Sequence, residues 1–375
     1  MPTAPADAPD PERIGDAFQV YEVVEDGERI LYLGDPIEAR EDVVQSVWPV
    51  FQEAGYDVSL AWRESGFVLV ATPIGNDRGI PWKNAILLAL TIVTTMWAGT
   101  GWYYVREIFV DGFPWISPSV IEALPFTLAV LGVLGTHEMG HYVMSRYHDV
   151  NASLPYFIPM IPPFGTIGAV IRMRGRIPDR KALFDIGVAG PLAGLVATIL
   201  VTAIGLMLPP VEVPAWVFQG PNIAIDFGYP PLLIIIAEVL GEPLSYQDPR
   251  TVVNPVVLGG WIGMFVTFLN LIPVGQLDGG HITRAILGER QERLAKLVPV
   301  ALFGLAGYLY FIQGTDQSVG IWVLWGGIAT VFSYAGSANP VVDEPLERRR
   351  VAIGLLTLFL GLLCFTPVPV TIGGP

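Results

Sequence analysis

Leu134-Gly-Thr-His137-Glu138-Met-Gly-His141-Tyr-Val143 closes an apolar run that begins near Ile121, and its reading decides the fold. Four residues apart on a helix, His137 and His141 share one face and can hold one metal. Glu138 stands beside them, where a carboxylate can take a proton from a metal-activated water. Ionisable groups are costly at membrane depth and mark function there. A zinc-hydrolase pattern inside a membrane helix points to peptide-bond hydrolysis within a bilayer. The plainer alternative, two histidines hydrogen-bonded in a core, leaves Glu138 without a purpose in an apolar setting.

The surrounding composition agrees with a membrane setting. The 375 residues are 52% hydrophobic and only 15% charged, against about 25% charged for a soluble domain. Mean hydropathy is +0.52. Residues 1–11 lack the basic and apolar regions of a cleavable signal peptide. The single cysteine, Cys364, excludes a disulfide framework and a cysteine-based metal site. Net charge is −14, with 18 arginines but only Lys83, Lys181 and Lys296 as lysines. Acidic excess with scarce lysine suits a surface hydrated in strong salt and predicts a halophilic, archaeal source. No basic patch is dense enough for a nucleic-acid partner.

Residues 1–80 differ from the rest, with 16 acidic and 5 basic residues and no spanning run. Residues 18–24 and 29–33 read as strands around Asp26-Gly27, and 41–54 as an amphipathic helix. Residues 57–62 and 66–71 read as a second hairpin. The expected architecture is an all-α polytopic membrane bundle, residues 81–375, behind a small cytoplasmic α+β domain. Seven spans are predicted, at 84–105, 119–146, 182–208, 252–271, 294–312, 319–335 and 351–366. Residues 230–240 are too short to cross and read as re-entrant. With the N-terminus in the cytoplasm and the C-terminus outside, nearly all loop arginines and lysines fall inside, leaving only Arg106 and Arg250 outside. The metal pattern then sits near the cytoplasmic end of its helix.

Two histidines need a further ligand. His148 lies in the juxtamembrane exit and reads as a surface histidine. A better source is Asn270-Leu-Ile-Pro273-Val-Gly-Gln-Leu-Asp278-Gly-Gly-His281, where a spanning helix meets a proline and presents a carboxylate before two glycines. Alone, that stretch also reads as a helix-ending turn. If Asp278 is not the ligand, His281 is the next candidate. Gly187, Gly190 and Gly194, with Ala189 and Ala193, let the following span pack tightly, most simply on the metal helix. Pro191 kinks that span and can leave carbonyls free for bonds to the ligands. Residues 169–174 read as a short re-entrant strand near the metal, with an edge open to an unwound substrate.

His137-Glu138-Met-Gly-His141, paired with Asn270-x-x-Pro273-x-x-x-Leu277-Asp278-Gly279, resembles the site-2 protease family of intramembrane zinc metalloproteases. The resemblance covers roughly residues 126–288. Pro155 to Arg172 is similar to the plastid, cyanobacterial and archaeal branch, without a PDZ domain. By this resemblance His137, His141 and Asp278 ligate zinc, Glu138 is the general base, and Asn270 holds the substrate backbone or the oxyanion. The implied activity is cleavage of transmembrane protein substrates in the lipid bilayer, as in regulated intramembrane proteolysis. Gly275 stands where many relatives carry a second proline. The rival class is a membrane scaffold or transporter that binds metal without cutting. A transporter predicts repeat-related broken helices, and the broken segments of this chain do not match each other.

Overall fold

The computed structural model describes residues 5, 8–63, 66–74, 81–106, 108, 117–174, 176–219 and 224–373. The expected domain boundary at residues 80 and 81 falls at the edge of a stretch outside the described residues.

Strands β1 (Phe18–Asp26), β2 (Arg29–Pro36), β3 (Tyr56–Arg63) and β4 (Gly66–Pro73) form one antiparallel sheet in the order β1-β2-β4-β3, with helix α1 (Arg40–Glu53) packed on it. The β1–β2 turn places Gly27 at φ 66°, which glycine adopts without steric cost. Phe18, Tyr32, Val43, Val47, Phe51 and Leu69 fill the core between sheet and helix. The predicted elements of this region are present, each within about two residues except the longer ends of β1 and β2.

Among the described residues, four helical stretches are long and apolar enough to cross a bilayer: 82–102, 118–147, 180–207 and 278–312. They contain α2 (Trp82–Trp102), α3 (Leu124–Tyr147), α4 (Arg180–Met207), then α7 (Asp278–Leu287) and α8 (Gln291–Gly307). Between them lie the shorter apolar helices α5 (Pro231–Leu240) and α6 (Pro255–Asn270), and after them α9 (Val319–Ala335) and α10 (Arg348–Leu362). Exposed Leu90, Val93, Leu200, Leu297, Val331 and Leu355 give these helices an apolar outer surface, as lipid contact requires. The chain is a mostly helical, multi-pass membrane protein with a small β-rich N-terminal unit.

The core of the bundle is α3 against α4, with α6 packed on both. Small residues set the approach. A Cβ on Gly140 would stand 2.6 Å from the Ala189 carbonyl oxygen, and one on Gly263 2.6 Å from Val133.

Between α3 and α4 the chain forms one interrupted hairpin. Its base is β5 (Asn151–Ala152) with β8 (Met173–Arg174), and its upper part is β6 (Tyr156–Pro159) with β7 (Thr166–Val170). The continuous strand expected over 169–174 is therefore broken at Ile171 and Arg172. The hairpin runs along α2. Asn84 donates to the Leu154 and Pro155 carbonyls, Thr94 to the Gly165 carbonyl, and the Trp102 indole to the Pro163 carbonyl. These bonds supply partners for non-helical carbonyls alongside a candidate span, where solvent cannot.

Smaller ladders stitch the loops. β9 (Ile177–Asp179) pairs in parallel with β13 (Pro340–Val342). β10 (Val211–Glu212) pairs with β12 (Thr251–Val252), and β11 (Ala224–Phe227) with β14 (Val370–Gly373).

Candidate active site

His137 and His141 fall in the last three turns of α3, on the face covered by α4. Their Nε2 atoms are 3.2 Å apart. Asp278, the first residue of α7, reaches them from the opposite side: Oδ2 is 3.2 Å from His137 Nε2 and Oδ1 is 3.2 Å from His141 Nε2. The ligand atoms of all three lie within 4.8 Å of one another. Two nitrogens about 2.0–2.1 Å from a tetrahedral zinc stand about 3.3 Å apart, so the imidazoles are spaced as such an ion requires. Two neutral imidazoles and one carboxylate also suit a dication.

Neighbouring groups orient this set. The Nδ1–H of His141 donates to the Ile186 carbonyl at 2.8 Å, which fixes the tautomer and turns Nε2 toward the metal position. That carbonyl belongs to α4, and α4 comes close enough only because Gly190 and Gly194 face the rings. A Cβ on Gly190 would overlap the His141 ring, and one on Gly194 would stand 2.8 Å from His137 Nδ1. The tight contact expected of these glycines is present. Pro191 lies inside α4, five residues after Ile186.

Asp278 depends on the break between α6 and α7. The helix ends at Asn270, residues 271–277 turn, and Gly275 takes φ 53° against Phe332. Gly279 and Gly280 then fit against the Leu271 and Gly275 carbonyls, where no side chain has room. Asn270, at the end of α6, places its amide 3.2 Å from His137 Nε2. Glu138, next to His137 in α3, is 6% exposed. All five residues expected in the site are thus brought together.

The two other histidines stand apart from the ligand group. His148 is partly exposed and paired. It lies 3.0 Å from Asp185 on α4, and Arg350 grips the same carboxylate at 2.9 and 3.0 Å. His281 is buried beside Gly187 and its Nδ1 has no partner. The sequence reading missed the Ile186 carbonyl.

Comparison with known proteins follows this geometry. Residues 125–309 match Peptidase family M50, and the match contains every residue of the site. This region is an M50 (site-2 protease family) peptidase region. The chain is 33% identical over 272 residues to the probable chloroplastic zinc metalloprotease EGY1 of Arabidopsis thaliana, covering 65% of this chain and 47% of that protein. EGY1 of Oryza sativa subsp. japonica is 30% identical over 274 residues, 65% of this chain and 45% of that protein. EGY2 of Arabidopsis thaliana, also described as a probable zinc metalloprotease, is 30% identical over 260 residues, 68% and 43%. The chain spans less than half the length of these relatives. No solved structure matches it.

Proposed function

We propose that this protein is a zinc-dependent endopeptidase that cuts membrane-spanning substrates within the bilayer. The observation that carries the reading is the 3.2 Å spacing of the His137 and His141 nitrogens, closed by Asp278, on a buried face of a candidate span. Zinc held there would polarise the scissile carbonyl and make a water acidic enough to lose a proton near neutrality. Glu138 takes that proton and returns it to the leaving amine. The Asn270 amide supplies a donor to the oxygen on which negative charge grows. The rival reading, metal binding without cleavage, gains no support from the M50 relationship.

Residues 1–80 act as the cytoplasmic domain and 81–375 as the protease, with seven crossings by α2, α3, α4, α6, α8, α9 and α10. Strand pairing supports this count. Four crossings separate β9 from β13 and four separate β11 from β14, so each pair shares a side. The β10–β12 pair brackets α5 and supports its re-entrant reading. The N-terminus is cytoplasmic, the C-terminus is outside, and the site opens near the cytoplasmic face. The acidic, lysine-poor composition fits a halophilic archaeal cell. Substrate unwinds and adds to the β7 edge, where Ile167 and Val170 are 66% and 50% exposed.

Comparative proteomics of cells carrying the parent chain or Glu138→Gln tests the reading. Membrane-bound precursors should accumulate in the variant, and their cut sites in parent cells should lie inside apolar segments. Cuts confined to soluble segments would refute the intramembrane reading.

A further inference from the structure

His148 is the residue that caps α3, seven positions and about two turns beyond the ligand His141. That spacing puts both rings on one face of α3, the face that meets α4. The two helices run in opposite directions, since Gly194 faces His137 and Gly190 faces His141. Along this face the rings bond to consecutive residues of α4. His141 Nδ1–H donates to the Ile186 carbonyl at 2.8 Å, and His148 Nε2–H donates to the Asp185 carboxylate at 3.0 Å. Neighbouring residues can serve rings about 10 Å apart along α3 because their acceptors reach opposite ways. A helical carbonyl points toward the C-terminal end of its helix, and a side chain leans toward the N-terminal end.

Asp185 is gripped from a third helix as well. Arg350, in the first turn of α10, donates Nε–H to Oδ1 at 2.9 Å and Nη2–H to Oδ2 at 3.0 Å. A bidentate pair of this kind fixes the plane of the carboxylate, and His148 shares its Oδ2. Stapling α10 to α4 needs only Arg350 and Asp185. The third member comes from the helix, and the face, that carry the zinc ligands.

We propose that Asp185 is a positioning residue for the ligand His141. With the Ile186 contact alone, α4 would be free to turn about its axis or slide along α3, and the carbonyl would leave the His141 ring. The second contact, two turns away on α3, removes both freedoms, and Arg350 holds that contact still. Arg350 lies beyond residues 125–309 of the M50 match, so the last helix serves the metal site without reaching it. The consequence for catalysis rests on the protease reading, and the substance rests on the helix geometry.

Four histidines in the whole chain make ring-¹⁵N spectra readable residue by residue. In the full-length protein under saturating zinc, the His141 Nδ1 proton should exchange slowly with water, because the Ile186 carbonyl holds it. Asp185→Ala and His148→Leu should each speed that exchange by roughly tenfold or more, the scale of losing one hydrogen bond. Zinc affinity, by chelator competition, should fall at least about tenfold, the low end for removing an outer support of a metal ligand. His148→Gln, whose amide can donate to Asp185 in place of the ring, should restore both. Tyr103→Phe deletes a 2.9 Å hydrogen bond to Asn254, away from the metal, and should change neither. Parent-like exchange and affinity in His148→Leu and Asp185→Ala overturn the proposal. So does an equal loss in Tyr103→Phe, or no recovery in His148→Gln, since either reduces the cluster to general stability. If Asp185→Ala does not fold, Arg350→Leu, which frees the carboxylate but keeps its bond to His148, is read in the same way. If the parent holds zinc but cleaves no apolar peptide, the protease reading fails, while exchange and affinity still decide whether Asp185 positions His141.

Discussion

Glu138 and Asp278 are carboxyl groups of one site, and their removal should fail in different ways. Glu138→Gln keeps the ligand set, so zinc content should stay at one per chain while cleavage falls at least about a hundredfold, the low end for a general base. Full activity in the purified variant would sink the mechanism. Asp278→Ala removes the only anionic ligand of the three, so both zinc occupancy and activity should fall. One tightly held zinc in that variant, by metal analysis, would hand the third position to another residue, His281 first. These residues were legible because charged and imidazole groups are conspicuous in apolar sequence. The Ile186 carbonyl was not, since every residue carries a backbone and only the fold decides which one faces a ligand. The partners of His148 were hidden for a related reason: Asp185, which holds it, and Arg350, which grips Asp185, lie 37 and more than 200 positions away.

At the scale of the element, the α3–α4 contact is the most sensitive. Gly190→Ala should push His141 out of line and cost zinc, whereas Gly132→Ala, on α3 with open space around it, should be silent. Equal zinc retention in both would mean that α4 yields without disturbing the ligands. The β9–β13 strap carries a pH dependence. Arg180 holds the Asp343 carboxyl below the usual carboxylate range, burial opposes it, and Arg284 assists. A carboxyl lowered in the folded state stabilises fully above its unfolded value of about 3.9 and loses that effect as pH falls through its folded value. Protection of the Val341 and Val342 amides, with exchange corrected for its intrinsic pH dependence, should therefore fall below about pH 4. Asp343→Asn should show the lower protection already at pH 7 and lose the pH dependence. Small-residue spacing made the α3–α4 contact legible in advance. The strap was not, because its three-residue strands carry too few alternating positions to register as a pattern.

For the whole molecule, side of membrane is the testable quantity. In a Cys364→Ser background, single cysteines at Glu289 and Glu344, both exposed, should react only with reagent on the cytoplasmic face. One at exposed Gln247 should react only from outside. Opposite labelling of Glu289 and Glu344 would break the seven-crossing count. Hydropathy found where each apolar helix lies, yet the 16-residue α6 and 17-residue α9 are shorter than a bilayer core of about 30 Å at 1.5 Å per residue. Length alone leaves such helices undecided, and the loop ladders that bear on them join residues far apart in sequence. The hairpin, finally, is tied to α2 at Asn84, Thr94 and Trp102, steps of about 15 and 12 Å along the helix. On the proposed reading, a strand lashed at intervals to such a post would work as a measuring rod. A substrate laid along it would meet the metal at a fixed depth, whatever residues happen to be there. Inserting three apolar residues between a substrate's membrane edge and its cut site should move the cut three positions along the substrate's sequence and leave its distance from the membrane edge unchanged.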